Sequence, residues 1–200
     1  MAHPRPNPGT TCSMVADDKP REACGLFGAK NLSESAKMCY FGLYALQHRG
    51  QESAGIAAID DDGVMDEHRD MGLVSDVFDM AILDRLKGDS AIGHVRYSTT
   101  GSSVLANAQP FVVRHRNRAY AVAHNGNLVN AHTLKAELEN AGSIFQSTMD
   151  SEVFLHLFVR NLSLGFEAAL KASVARLKGA FSMVFLTSRG EVVGIKDPNG

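Results

Sequence analysis

REACGLFG, residues 21–28, marks the point where this chain acquires a pattern. Four prolines fall within the first 20 residues, among Gly, Thr, Ser and Asp, with neither helical nor strand period. Such a composition buries too little apolar surface to offset the entropy of ordering, so residues 1–23 read as a disordered leader or propeptide. At Cys24 the patterning starts, and CGLFGA over 24–29 is predicted as a strand. Taken alone, Cys24 is a small buried residue opening that strand. Its neighbours add a second reading. Ala23 is a small residue suited to a cleavage point, and Gly25 lets backbone approach a ligand closely. Cutting the bond between Ala23 and Cys24 would put a free α-amine, pKa about 7.7–8.0, on the same residue as a thiol of about 8.5. That pair is matched for proton transfer near neutral pH without a histidine. While the bond is intact the nitrogen is an amide with no basicity, so the leader would hold the site off.

Downstream, short strands and helices alternate. Residues 34–47 read as a helix with Ser33 as cap and Gly50 beyond its end. Ala36, Tyr40, Leu43 and Leu46 form one apolar face, and Met38, Phe41 and Ala45 a second, which predicts burial on more than one side. Strands at 54–59 and near 64–69 flank Asp61-Asp62-Gly63, a hairpin signal. Residues 75–87 read as helix, 90–98 as strand, and FVVRH and AYAVAH as strands joined at Arg116-Asn117. Helices follow at about 130–141 with Asn130 as cap and Gly142 beyond, then at 150–162 and 166–177. FSMVFL and EVVGIK close the chain as a hairpin. Hairpins mixed with helices argue against a doubly wound parallel sheet and for helix layers packed on antiparallel sheets, an α+β architecture.

The 200 residues suit one domain with a tail. A net charge of −2 and the absence of Trp give no case for nucleic acid or an anionic membrane as partner. No apolar run approaches the ~20 residues of a membrane span, and the N-terminus lacks the apolar core of a signal peptide, so the chain reads as cytoplasmic. Cys12, Cys24 and Cys39 are odd in number and widely spaced, which fits reduced thiols. There is no phosphate loop, HExxH or CxxC, and the histidines lack metal-ligand spacing, so no metal or other cofactor is read within this chain.

Four further segments can carry chemistry. Arg49-Gly50 in LQHRGQESAG is a cation and cap ending a helix, or part of a pocket. Arg96 in GHVRYSTTG stands at a strand end, where a guanidinium fork suits a carboxylate; the plainer reading is a surface ion pair. Asn125-Gly126 in AHNGNL is placed at another strand end. A helix rather than a partner strand follows, so a side-chain amide beside an accessible glycine N–H can serve as an oxyanion hole instead of a hairpin turn. Ser147 to Asp150 has the spacing of a capping box, while Asp150 could also be the counter-charge to a substrate ammonium.

CGLFG, LQHRGQESAGIA, GHVRYST, HNGNLVN and DSEV occur in this order. The set resembles the glutaminase domain of the class II, or N-terminal-nucleophile, glutamine amidotransferases. Within them it looks like the amidophosphoribosyltransferase branch of purine synthesis, on LQHRGQESAG and GHVRYST. The resemblance implies a four-layer αββα sandwich. It implies Cys24 as nucleophile with its freed α-amine as base, Asn125 and Gly126 as oxyanion hole, Arg96 on the glutamine α-carboxylate and Asp150 on its α-ammonium. Arg49 and Gly50 would line the pocket, and Arg96 to about Asn107 would form a lid over glutamine. Met149 departs from the small polar residue expected there. The branch continues into a phosphoribosyltransferase domain that takes phosphoribosyl diphosphate with Mg2+, and the chain ends at KDPNG before any such motif. The expectation is the ammonia-producing half alone, a homo-oligomer when full length. Some relatives carry an iron–sulfur cluster, for which the cysteine spacing here gives no support. The glutaminase half of a hexosamine or asparagine synthetase, or a silent scaffold that keeps its leader, are the competing readings.

Overall fold

A computed structural model describes residues 24–97 and 104–198. The leader, Cys12, half of the expected lid (98–103) and the last two residues lie outside the described residues. The chain runs β1 (Gly25–Lys30), α1 (Ser35–Ala45), β2 (Ser53–Ile59), β3 (Met65–Met71), α2 (Val74–Val77), α3 (Met80–Arg85), β4 (Ser90–Arg96), β5 (Phe111–His115), β6 (Arg118–Leu128), α4 (Ala131–Asn140), α5 (Ser151–Asn161), α6 (Phe166–Val174), β7 (Gly179–Thr187) and β8 (Val192–Lys196). Two antiparallel sheets form, ordered β1-β4-β2-β3 and β5-β6-β7-β8.

Strand periodicity builds the layers. In β2, Ile56 and Ala58 point into a core with Ala36, Cys39 and Leu43 of α1, while Ala57 and Ile59 point the other way. There they meet Ala119, Ala121 and Ala123 of β6 and Leu186 of β7. The alternate residues of β6, Tyr120 and Val122, pack with Phe154 and Phe158 of α5 and Phe185 of β7. Side chains two apart share a face, so one strand serves two cores. The result is helix, sheet, sheet, helix, as the resemblance implied. The alanines between the sheets are small, which lets the two backbones approach.

Several local expectations are corrected. The first helix ends at Ala45, and a separate 3-10 turn, Gln47–Arg49, leads to Gly50. Its N-cap is Glu34 without a side-chain cap bond, in place of Ser33. Met38 and Phe41 are exposed, Phe41 at 63%, because α1 is an outer layer with only one sheet to cover it. The expected helix 75–87 is two short helices, α2 and α3, broken before Asp79, whose carboxylate caps the Ile82 N–H. Asn130 precedes α4 but spends its amide on Arg176 O and Lys178 N instead of capping.

Candidate active site

Cys24 is the first described residue and leads directly into β1, where Gly25 pairs with Val95 of β4. Its carbonyl accepts the Arg49 Nε–H at 3.0 Å, so Arg49 grips the backbone of Cys24 from the 3-10 turn. Gly50 is buried against the end of β4; a Cβ there would lie 2.7 Å from the Arg96 carbonyl carbon. Arg96 ends β4 and is buried, with Nη1 2.6 Å from Glu52 Oε1. It is therefore not the surface ion pair of the plainer sequence reading. Burial pushes the Cys24 thiol above its ordinary range; the Tyr97 N–H and the Arg96 and Arg49 cations pull it down, and Glu52 pushes it up. The net direction is upward, so at neutral pH the sulfur carries its proton and needs a base to lose it.

The second half of the site lies on the other sheet. Asn125 and Gly126 are not at a strand end: β6 runs on to Leu128, with Asn125 opposite Ser182 and Gly126 opposite Phe181 of β7. Gly126 has φ +127°, and a Cβ would lie 2.2 Å from Ala180 O, so only glycine fits. Both residues are half-buried. Asp150 precedes α5 and forms no capping box. Its Oδ1 accepts from His124 Nδ1 at 3.0 Å and its Oδ2 from Leu128 N–H at 2.9 Å. Burial works against the charged form, yet His124 and the Leu128 and Ser151 N–H groups hold the Asp150 carboxyl below the usual carboxylate range. Gly126 and Asp150 share a cavity of about 480 Å³, lined also by Leu128, His132, Lys135 and Met149.

His94 joins the halves. It pairs in register with Leu26 of β1, and its Nε2–H reaches across the sheets to the His124 carbonyl at 3.1 Å. The start of β1 and the Asn125-Gly126 segment thereby sit at the same end of the two sheets. Glu52, His94, Gln109 and His124 are absent from the residues that sequence reasoning singled out. Glu52 lay inside the quoted LQHRGQESAG, and His94 and Arg96 share one strand face by alternation; either signal could have been followed. The lid expected from Arg96 to Asn107 has buried ends, Arg96 and Asn107, with residues 98–103 outside the described ones.

A family profile described as "Glutamine amidotransferase domain" matches residues 94–200. The chain belongs to the glutamine amidotransferase domain family. As such it is an enzyme domain, and the resemblance read from its motifs is borne out. Amidophosphoribosyltransferase 2, chloroplastic, of Arabidopsis thaliana is 50% identical over 184 residues, 92% of this chain and 33% of that protein. Amidophosphoribosyltransferase of Bacillus subtilis is 45% identical over 189 residues, 94% of this chain and 39% of that protein. Among solved structures, glutamine phosphoribosylpyrophosphate amidotransferase from B. subtilis, complexed with ADP and GMP, aligns with a TM-score of 0.79 and 44% identity. It covers 88% of this chain and 37% of that one. An allosteric regulatory enzyme of purine biosynthesis aligns over the same shares with a TM-score of 0.81 and 45% identity. This glutamine amidotransferase domain thus spans about a third of the length of these relatives. Among its described residues, no helix is long and apolar enough to cross a membrane.

Proposed function

We propose that this domain hydrolyses glutamine to glutamate and ammonia through a thioester on Cys24, and that the ammonia goes to phosphoribosyl diphosphate to form phosphoribosylamine. The observation that carries the reading is the bridge from His94 to His124, which supports a common end for Cys24 and the Asn125-Gly126 segment. The relatives' names support the acceptor, on a transferase part beyond the third that matches.

In this reading the α-amine freed at Cys24 takes the thiol proton, and the sulfur attacks the side-chain amide carbon of glutamine. The negative oxygen is received by the Asn125 amide and the Gly126 N–H. The C–N bond breaks, the base returns its proton to the nitrogen, and ammonia leaves. Water then attacks the γ-glutamyl thioester and restores the thiol. A thiol held protonated by burial is consistent with a base on its own residue. Arg96, buried beside Cys24, meets the α-carboxylate and Asp150 the α-ammonium, with Arg49 and Gly50 fixing the walls. No step calls on a metal or cofactor in this half; Mg2+ belongs with the transfer half. We keep the cytoplasm as the proposed compartment, which imaging of a fluorescently tagged full chain would check.

Intact-mass analysis combined with a glutamine-to-glutamate assay tests the reading. Active material should begin at Cys24, and Cys24→Ala should be folded and inactive. Active protein that retains Met1 through Ala23 would refute it.

A further inference from the structure

β5 begins only at Phe111, which faces Val122, while β6 continues past that pair to Leu128. Continuing that register puts Gln109 opposite His124, past Pro110, which has no N–H to give. There the side chain of Gln109 takes over from the strand. Its Oε1 accepts the His124 N–H at 2.8 Å and its Nε2 donates to the His124 carbonyl at 3.3 Å. It copies the donor–acceptor pair that a neighbouring strand would offer, at 1% exposure. His94 donates to the same carbonyl at 3.1 Å.

The His124 carbonyl and the Asn125 N–H belong to one planar peptide. Whatever fixes the first fixes the second and the direction from which Asn125 and Gly126 project. Gln109 is itself held. Its carbonyl lies against Gly55, where a Cβ would be 2.1 Å away, and the preceding Ala108 carbonyl accepts Arg69 Nη1 at 2.5 Å. Gly55 and Arg69 face each other across β2 and β3. The backbone is thus anchored to one sheet while the side chain grips the strand of the other.

We propose that Gln109 is the positioning residue of the oxyanion hole, clamping the peptide between His124 and Asn125. This rests on the reading of Cys24, Asn125 and Gly126 given above. A hole displaced by about 1 Å loses rate on the order of 100-fold. Arg96 lies on the other sheet, and Asp150, though bonded to the His124 ring, is also held by the Leu128 and Ser151 N–H groups, so the loss falls mainly on kcat rather than KM.

The test compares the purified wild-type chain with Gln109→Met, which keeps the volume and removes both polar groups. Glutamine kinetics are measured beside the rate of Cys24 alkylation by iodoacetamide, a displacement that forms no oxyanion. The expected result is kcat down about 100-fold, KM within about twofold and alkylation unchanged. Gln109→Asn, with the same groups on a shorter stem, should show the same split and serves if the Met variant does not fold. Wild-type kcat in both variants would overturn the proposal. So would kcat, alkylation and melting temperature falling together, which is the behaviour of a merely structural residue. Failure of the underlying reading is distinguishable: the wild type itself, or Cys24→Ala, would then give the wrong answer before any Gln109 variant is compared.

Discussion

Glu52 and Arg96 form a buried ion pair, Oε1 to Nη1 at 2.6 Å, with side chains 10% and 3% exposed. The Glu52 N–H also donates to the Arg96 carbonyl at 3.0 Å, so the pair is closed through backbone as well. Two charges at this depth are tolerated together and costly apart. Glu52→Ala should therefore lower stability by about 3 kcal/mol in urea unfolding. Glu52→Gln, which keeps an acceptor, should lose less. A loss under about 0.5 kcal/mol for the alanine variant would mean the pair behaves like an exposed one.

Gly126 is the second position with a defined cost. Its φ is +127°, and a Cβ added there would sit 2.2 Å from the Ala180 oxygen, which leaves no room for a side chain. Gly126→Ala should destabilise by about 2 kcal/mol or more and should abolish glutamine hydrolysis, because β6 must shift to relieve the clash. Gly142, with a positive φ but nothing near its missing Cβ, is the control, and Gly142→Ala should keep activity.

Acid should weaken the fold through His94. The ring is fully buried, its Nε2–H donates to the His124 carbonyl, and its Nδ1 has no partner among the described residues. Burial pushes its pKa down to about 3. An unfolded histidine titrates near 6.5, so between these values the unfolded chain binds the extra proton. The contribution is fully present above about pH 6.5 and is lost as pH falls towards 3. His94→Gln should flatten the dependence of the urea midpoint on pH across that window. An unchanged slope would show that His94 takes up its proton in the folded protein.

Cys24 and Cys39 should differ sharply as thiols. Cys39 lies on the buried face of α1, and burial pushes its pKa up to about 12. Peptide mapping after brief iodoacetamide treatment of native protein should find Cys24 alkylated and Cys39 unmodified, with Cys39 reacting only in denaturant. Labelling of Cys39 in folded protein would contradict the packing of α1 on its sheet.

Much of this molecule was written locally. The alternation in AGIAAI and AYAVAH, the Asp-Gly turn and the paired apolar positions of α5 each depend on residues close in sequence, and they named the strands, hairpins and helices that form. Cys24, Arg96, Asn125, Gly126 and Asp150 could be singled out as candidates for the same reason, since each lies in a short motif whose chemistry can be read residue by residue. The exposed face of α1 was misread because periodicity reports which side chains share a face but not whether a second layer covers it. Glu52, His94, Gln109 and His124 needed the fold. A glutamine before a proline has no local sign that it will replace a missing strand. Its place beside β6 exists only because β5 begins late, at Phe111, while β6 runs on to Leu128, which leaves a buried peptide to be paired by a side chain.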